Sequence, residues 1–205
     1  MNVATSPWSS RNPDLAGPAL AALLPPIEER SRRSELARRR WLALHAFLGR
    51  RSYGRVWVPH CGDDELAAQL ARLATHLWVA VTPASSEAVT RIVLRCAQLP
   101  NVSIDLSGAA PAAQSAFDLI IVSGFDTYRN PADLVRAAGA LVSTLAPGGE
   151  LVAVHALGCA AGTRDGGGRR ALYGDAVHHL LLEHLPLHWR DGTRDGEFRL
   201  DAWVR

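Results

Sequence analysis

The sequence predicts an α/β protein built on a doubly wound, mostly parallel sheet that finishes in a C-terminal antiparallel hairpin. Three observations carry that expectation. Arg55 to Leu70, RVWVPHCGDDELAAQL, takes a short apolar strand through a turn with one glycine, Gly62, straight into a helix. Open α/β sheets bind ligands at such a passage, because the amides of the turn and the first helical turn point into the crevice. Phe117 to Ser123, FDLIIVS, is an unbroken apolar run, which suits a central parallel strand covered on both faces. Finally, strand and helix patterns alternate until two strand-like runs end the chain, and that order favours right-handed crossovers followed by a hairpin.

Element by element, residues 1 to 26 are rich in Pro, Ser, Asn and Ala without a sustained period, and read as an N-terminal extension of loop or short docked helix. Residues 27 to 205 form the main domain. It opens on a helix from Glu28 to Leu48, with Leu36, Arg40, Leu44 and Phe47 at helical spacing. Val56 to Pro59 is a buried strand; Asp63 or Asp64 caps a helix that buries Leu66, Leu70 and Leu73. Leu77 to Val81 is the second strand. Ser85, Ser86 and Glu87 start a helix carrying Val89, Ile92, Val93 and Cys96, and Val102 to Leu106 alternates as a third strand.

After FDLIIVS, Asn130 with Pro131 at the first helical position opens a helix whose stripe is Leu134, Ala138, Leu141, Val142 and Leu145. Pro147-Gly148-Gly149 is expected to end it, before a strand from Leu151 to His155. A basic glycine-rich loop, Gly158 to Arg170, leads to a helix from Asp175 to about Leu185. Leu187 to Arg190 and Glu197 to Val204 then read as a hairpin around Asp191-Gly192.

Length and composition suit one full core with a short appendage: 205 residues, 48% of them hydrophobic, with a net charge of +2. That balance argues against a protein held to nucleic acid by bulk electrostatics. Cys61, Cys96 and Cys159 are widely spaced, so neither a disulfide framework nor a zinc site is indicated, and a reducing cytoplasm is the expected compartment. Leu15 to Leu24 is broken by Pro18 and is too short to span a bilayer. His184 and His188 are four apart, but Pro186 between them breaks the helix a metal pair would need, so no metal is expected.

Five segments carry a resemblance: Arg38-x-Arg40-Trp41, the Val56 to Leu70 turn, FDLIIVS, LAPGGELVAVH at Leu145 to His155, and YGDAVHHLLL with the terminal EFRLDAWVR. Over roughly Glu35 to Arg205 the chain resembles class I S-adenosylmethionine-dependent methyltransferases, a Rossmann-like fold. Within them it is similar to NodS-type N-methyltransferases and relatives in sugar-modification clusters. The resemblance implies S-adenosylmethionine as cofactor and methyl transfer to an amine or hydroxyl of a small molecule or amino sugar. It implies cofactor contacts at Arg38, Arg40, His60, Gly62, Asp63, Thr82 and Ser123.

The chain departs from the family pattern at three places. His60, Cys61, Gly62, Asp63 and Asp64 stand where the first turn usually offers small residues and several glycines. Thr82 stands where a carboxylate usually accepts both ribose hydroxyls, and one neutral hydroxyl does not reproduce a bidentate acceptor. Ser123-Gly124 replaces the family's frequent Ser-Glu. These departures keep a second function open, a catalytically degenerate homologue acting as an interaction or regulatory subunit, its protein partner met at the arginine-rich helix from Arg30 to Arg40.

For the enzyme reading, His155 and His178 are the candidate bases or acceptor-orienting groups, or else each satisfies a local backbone group. Asp126 and Tyr128 line the acceptor pocket or cap and pack the loop before Asn130. Arg38 and Arg40 meet the cofactor carboxylate through a planar donor fork or lie on a solvated face. The loop with Arg164, Arg169 and Arg170 is a lid over an anionic or sugar-linked acceptor, or a flexible connection.

Overall fold

The computed structural model describes residues 27–61, 64–81, 86–107, 116–123, 125, 128, 130–157 and 174–205. By contacts the chain divides into two units, 1–39 and 40–205. In the order of the chain the elements are α1 (Ile27–Phe47), β1 (Tyr53–Val58), α2 (Asp64–Ala71), β2 (Ala74–Ala80), α3 (Ser86–Cys96), β3 (Val102–Asp105) and β4 (Phe117–Ser123). There follow α4 (Pro131–Ser143), β5 (Leu145–Ala156), α5 (Gly174–His184), β6 (His188–Arg194) and β7 (Phe198–Val204). One seven-stranded sheet has the order β3-β2-β1-β4-β5-β7-β6. Its first five strands are parallel, and β7 runs antiparallel to both β5 and β6.

FDLIIVS lies at the centre of this sheet as its pattern requires, with Leu119, Ile120, Ile121 and Val122 all fully buried. On one face Trp57, Ile120, Leu151 and Trp203 pack under α4 and α5. The α4 stripe supplies Leu134, Ala138, Leu141 and Val142 to that layer, and Val177 and Leu181 come from α5. Asn130 caps α4 as its sequence predicts, its Oδ1 accepting from the Ala132 amide at 3.0 Å with Pro131 next in line. No described helix is long and apolar enough to cross a membrane.

Two sequence expectations are corrected. The α4 helix ends at Ser143, before the Pro-Gly-Gly, because Thr144 closes it by donating from its amide and its hydroxyl to the Leu141 carbonyl, at 3.0 and 2.7 Å. Leu145 therefore starts β5 opposite Phe117. The next pairing is Leu119 with Glu150, so residues 146–149 are looped out of the ladder. Gly148 takes the positive φ (71°) that this excursion needs, and it pairs with Arg205 at the chain's end.

The hairpin turn lies at Asp195-Gly196, beyond Asp191-Gly192. Asp195 closes it, its Oδ1 accepting from the amides of Glu197 and Phe198 at 2.6 and 2.8 Å. Gly192 belongs to β6, paired with Asp201 of β7. A Cβ there would stand 2.8 Å from Asp201 Oδ1 and 3.2 Å from the Trp189 ring. Gly192 thus leaves room for a buried carboxylate, and Gly192→Ala is expected to destabilise the protein by about 1–3 kcal/mol through overpacking. A urea unfolding curve that matches the wild type would show that Asp201 yields without cost.

At the other end of the hairpin, a bulge between Trp189 and Asp191 directs Arg190 toward α1. Its guanidinium donates to Glu150 Oε2 and to the Phe47 carbonyl, both at 2.7 Å, and lies over the Phe47 ring. Glu150 also accepts from Tyr53 Oη at 3.3 Å. Burial, with Glu150 beside it, pushes the Tyr53 phenol up to about 12, so it remains a donor. This cluster fastens the C-terminal end of α1 near the amino end of the β5 ladder.

Candidate functional site

At the carboxyl ends of the parallel strands the sheet opens between β1 and β4. Their ladder stops at Trp57–Ile120, while Val58 continues beside Val79 of β2, and Ile121, Val122 and Ser123 continue beside β5. The two halves of the sheet separate at the point where strand order reverses, the location at which open α/β folds take ligands. The turn after β1 is held from both sides, by β2 and, across that opening, by β4. The Cys61 amide donates to the Ala80 carbonyl at 2.9 Å, and Ser123 Oγ donates to the His60 carbonyl at 3.1 Å. Burial lowers the pKa of the His60 imidazole.

Ser123, expected as a cofactor contact, is thus a strut for the turn. Gly62, Asp63, Thr82 and Asp126 lie outside the described residues, as do Arg164, Arg169 and Arg170 of the basic loop. Tyr128 is half-buried against Phe125, ring centroids 6.4 Å apart. Cys61 and Cys96 are buried, and no group of three metal-ligating side chains occurs among the described residues.

The two arginines of α1 have different settings. Arg38 is exposed and engaged with Glu35, its Nη2 3.0 Å from Oε1. Arg40 lies with its guanidinium 5.8 Å over the ring of Phe198, and its Nε is buried without a hydrogen-bond partner. Phe198 pairs with Ala156, the last residue of β5. Arg40 therefore stands at the same carboxyl end of the sheet as the opening.

His155 and His178 were the expected bases at the crevice, but the structure encloses both. His155 is fully buried near the carboxyl end of β5, stacked 6.4 Å from Phe125, with neither ring nitrogen hydrogen-bonded. Burial pushes it down to about 4; nearby Asp201 opposes that shift without reversing it, so the ring is neutral. Its Nε2 is 3.7 Å from Asp201 Oδ2, and with a neutral ring this contact is not an ion pair.

His178 is carried by α5 and faces the sheet, with Trp203 and Trp189 ring centroids 6.2 and 6.3 Å away. Its Nδ1 is 3.0 Å from Asp201 Oδ1 but off the line an N–H donor needs. Burial lowers its pKa too, against the pull of Asp201.

Sequence reasoning missed the residue that gathers these groups. Asp201, fully buried on β7, is gripped by Arg199 through Nε at 2.7 Å and Nη2 at 3.1 Å. Arg199 Nη1 reaches Asp175 of α5 at 3.2 Å, and Arg194 Nη2 reaches the same carboxylate at 3.1 Å. The alternating Arg-Leu-Asp of the last strand was the available signal. It placed an arginine and an aspartate two apart on one strand face, which is how they come to pair.

S-Adenosylmethionine fits this chain at the β1/β4 opening in one structural respect: the sheet parts there and the β1 turn is braced from both sides. Among the described residues, His60 and Cys61 of the turn and Ser123 at the end of β4 border this opening.

Among solved structures, the chain is similar to a candidate methyltransferase from Pseudomonas syringae, at 32% identity over 83% of this chain and 99% of the other, with a TM-score of 0.66. N-methyltransferase NodS from Bradyrhizobium japonicum WM9 matches at 22% identity over 86% of this chain and 95% of that one, TM-score 0.58. Its complex with S-adenosyl-L-homocysteine matches at 21% identity over 86% of each chain, TM-score 0.60. The likeness to NodS is one of fold. No family model and no curated protein matches the sequence. With the seven-stranded order and the terminal antiparallel hairpin, the Pseudomonas relative settles the family: this chain belongs to the class I S-adenosylmethionine-dependent methyltransferases.

Proposed function

We propose that this chain binds S-adenosylmethionine in the β1/β4 opening and methylates an amine of a small molecule or amino sugar, as a NodS-like enzyme of the cytoplasm. The observation that carries the reading is the parting of the sheet after Trp57–Ile120, with the β1 turn braced by Ala80 and Ser123. When bound, the cofactor supplies an electrophilic methyl group on a sulfonium whose sulfur keeps the bonding pair. The protein's part is to hold donor and acceptor in line away from water.

An amine is favoured over a hydroxyl by the enclosure of His155 and His178. A neutral amine attacks through its lone pair and sheds its proton to solvent afterwards, whereas a hydroxyl needs a base at the moment of attack. The enclosure of both rings weighs against either serving as that base.

Calorimetric titration with S-adenosylmethionine and S-adenosylhomocysteine, followed by methyl-transfer assays on amino sugars, tests the reading. Binding with turnover on amines supports it. Absence of binding at millimolar cofactor would leave the interaction-subunit reading in its place. Thr82→Asp is expected to tighten cofactor binding, because restoring a charge-assisted hydrogen bond contributes about 1.5–3 kcal/mol, roughly a tenfold to hundredfold gain. Unchanged or weaker binding in that variant would show that the ribose does not lie against the end of β2.

A further inference from the structure

We infer that Arg40, in place of the cofactor contact its resemblance implies, is a receptor for an anionic group on the methyl acceptor, so that the acceptor is an amine bearing a carboxylate or a phosphate; this rests on the cofactor occupying the β1/β4 opening. Three observations bear on it. The guanidinium of Arg40 has no ion-pair or hydrogen-bond partner among the described residues, and its Nε is shielded from water. A guanidinium with no acidic partner is an uncompensated charge, and a bound oxyanion offsets it through the Nη donors. Arg38, by contrast, is engaged with Glu35.

The second observation is position. The ring under the guanidinium is Phe198 on β7, which in the order β1-β4-β5-β7 stands three strand intervals from β1. At about 4.8 Å per interval the lateral separation is roughly 14 Å from the β1 turn. A cofactor seated at β1/β4 leaves the region over β5 and β7 to the other reactant.

The third is pre-organisation. The α1 segment that carries Arg40 is fixed further along by the Arg190 contacts to Phe47 and Glu150. Its guanidinium is also settled on an aromatic face, leaving its donor edge for a planar or tetrahedral oxyanion. Glu150, Asp175 and Asp201 of the sheet's C-terminal half are each already paired with another arginine.

The test separates this inference from the reading beneath it. Wild type, Arg40→Gln and Arg40→Lys are titrated with S-adenosylhomocysteine. The product-saturated proteins are then titrated with glucosamine 6-phosphate, γ-aminobutyrate and glucosamine, following the Arg40 Nε–H resonance in the wild type. The expected result is cofactor-product affinity within about threefold across the three proteins. The Arg40 resonance shifts saturably with the phosphate or the carboxylate probe and not with neutral glucosamine, and Arg40→Gln weakens the anionic probe by about tenfold or more. Arg40→Lys retains part of that binding, since it keeps the charge and loses the fork.

A large loss of S-adenosylhomocysteine affinity in Arg40→Gln would overturn the inference and place Arg40 on the cofactor. An Arg40 resonance indifferent to both anions, or equally shifted by glucosamine, would also overturn it. Failure of the wild type to bind S-adenosylhomocysteine at all would remove the proposed function, and the inference with it.

Discussion

Asp201→Ala is expected to destabilise the protein by about 3–5 kcal/mol, the range for removing one partner of a buried ion pair. Asp201 is fully buried and is the common partner of Arg199 and His178. Its removal strands the Arg199 guanidinium, whose side chain is 19% exposed, with only Asp175 for compensation. In the intact protein, hydrogen bonds to Asp201 and Asp175 raise the Arg199 pKa although burial works against them. The loss therefore comes chiefly from an uncompensated charge and an unsatisfied donor set, with the missing packing of one carboxylate a smaller part. Because the cluster joins α5 to both strands of the hairpin, unfolding should shift as one transition. For a chain of this length the midpoint should fall by on the order of 10 °C. A loss below about 1 kcal/mol would mean that water reaches Arg199 in the variant and takes over from the carboxylate.

Acid should cost the protein a further large share of its stability, with His155 as the principal cause. Burial holds His155 down to about 4 in the folded chain, against the ordinary value of 6.5. Between those values the unfolded chain binds a proton that the folded chain refuses. The stability contributed by the neutral, buried ring is therefore complete above pH 6.5 and is lost as the pH falls from 6.5 through 4. The difference corresponds to about 3 kcal/mol. His178, whose pKa is lowered for the same reason, adds loss in the same direction.

His155→Phe separates this contribution from the rest. Neither ring nitrogen of His155 is hydrogen-bonded, and its ring is stacked near Phe125, so a phenyl ring forfeits no polar contact. The variant should match or exceed the wild type at pH 7 and decline less steeply toward pH 4. Urea midpoints across that range provide the measurement, and an acid slope as steep as the wild type's would assign the sensitivity to other groups.

The sequence by itself determined the architecture and the family. Period and punctuation are local properties: the FDLIIVS run needed cover on both faces, Asn130-Pro131 could only start a helix, and helix-strand alternation ending in paired strands allowed few topologies. Boundaries governed by a neighbour distant in the chain were decided only by the tertiary structure. Gly192 looks like a turn glycine until β7 sets the Asp201 carboxylate opposite it, and Pro-Gly-Gly, beyond the helix end that Thr144 closes, is a loop out of β5 held by its pairing with Arg205.

The functional residues divide in the same way. Arg38 and Arg40 are indistinguishable in sequence, yet one is paired with Glu35 and the other is held over Phe198, more than a hundred and fifty residues onward. His155 and His178 read as bases because their residue type has the right chemistry, while exposure decides whether that chemistry is available. Both rings are enclosed because β7 brings Asp201, Trp203 and Arg199 beneath α5. Residue type fixes what a side chain is able to do, and only the packing of strands far apart in sequence sets its solvation and its partners.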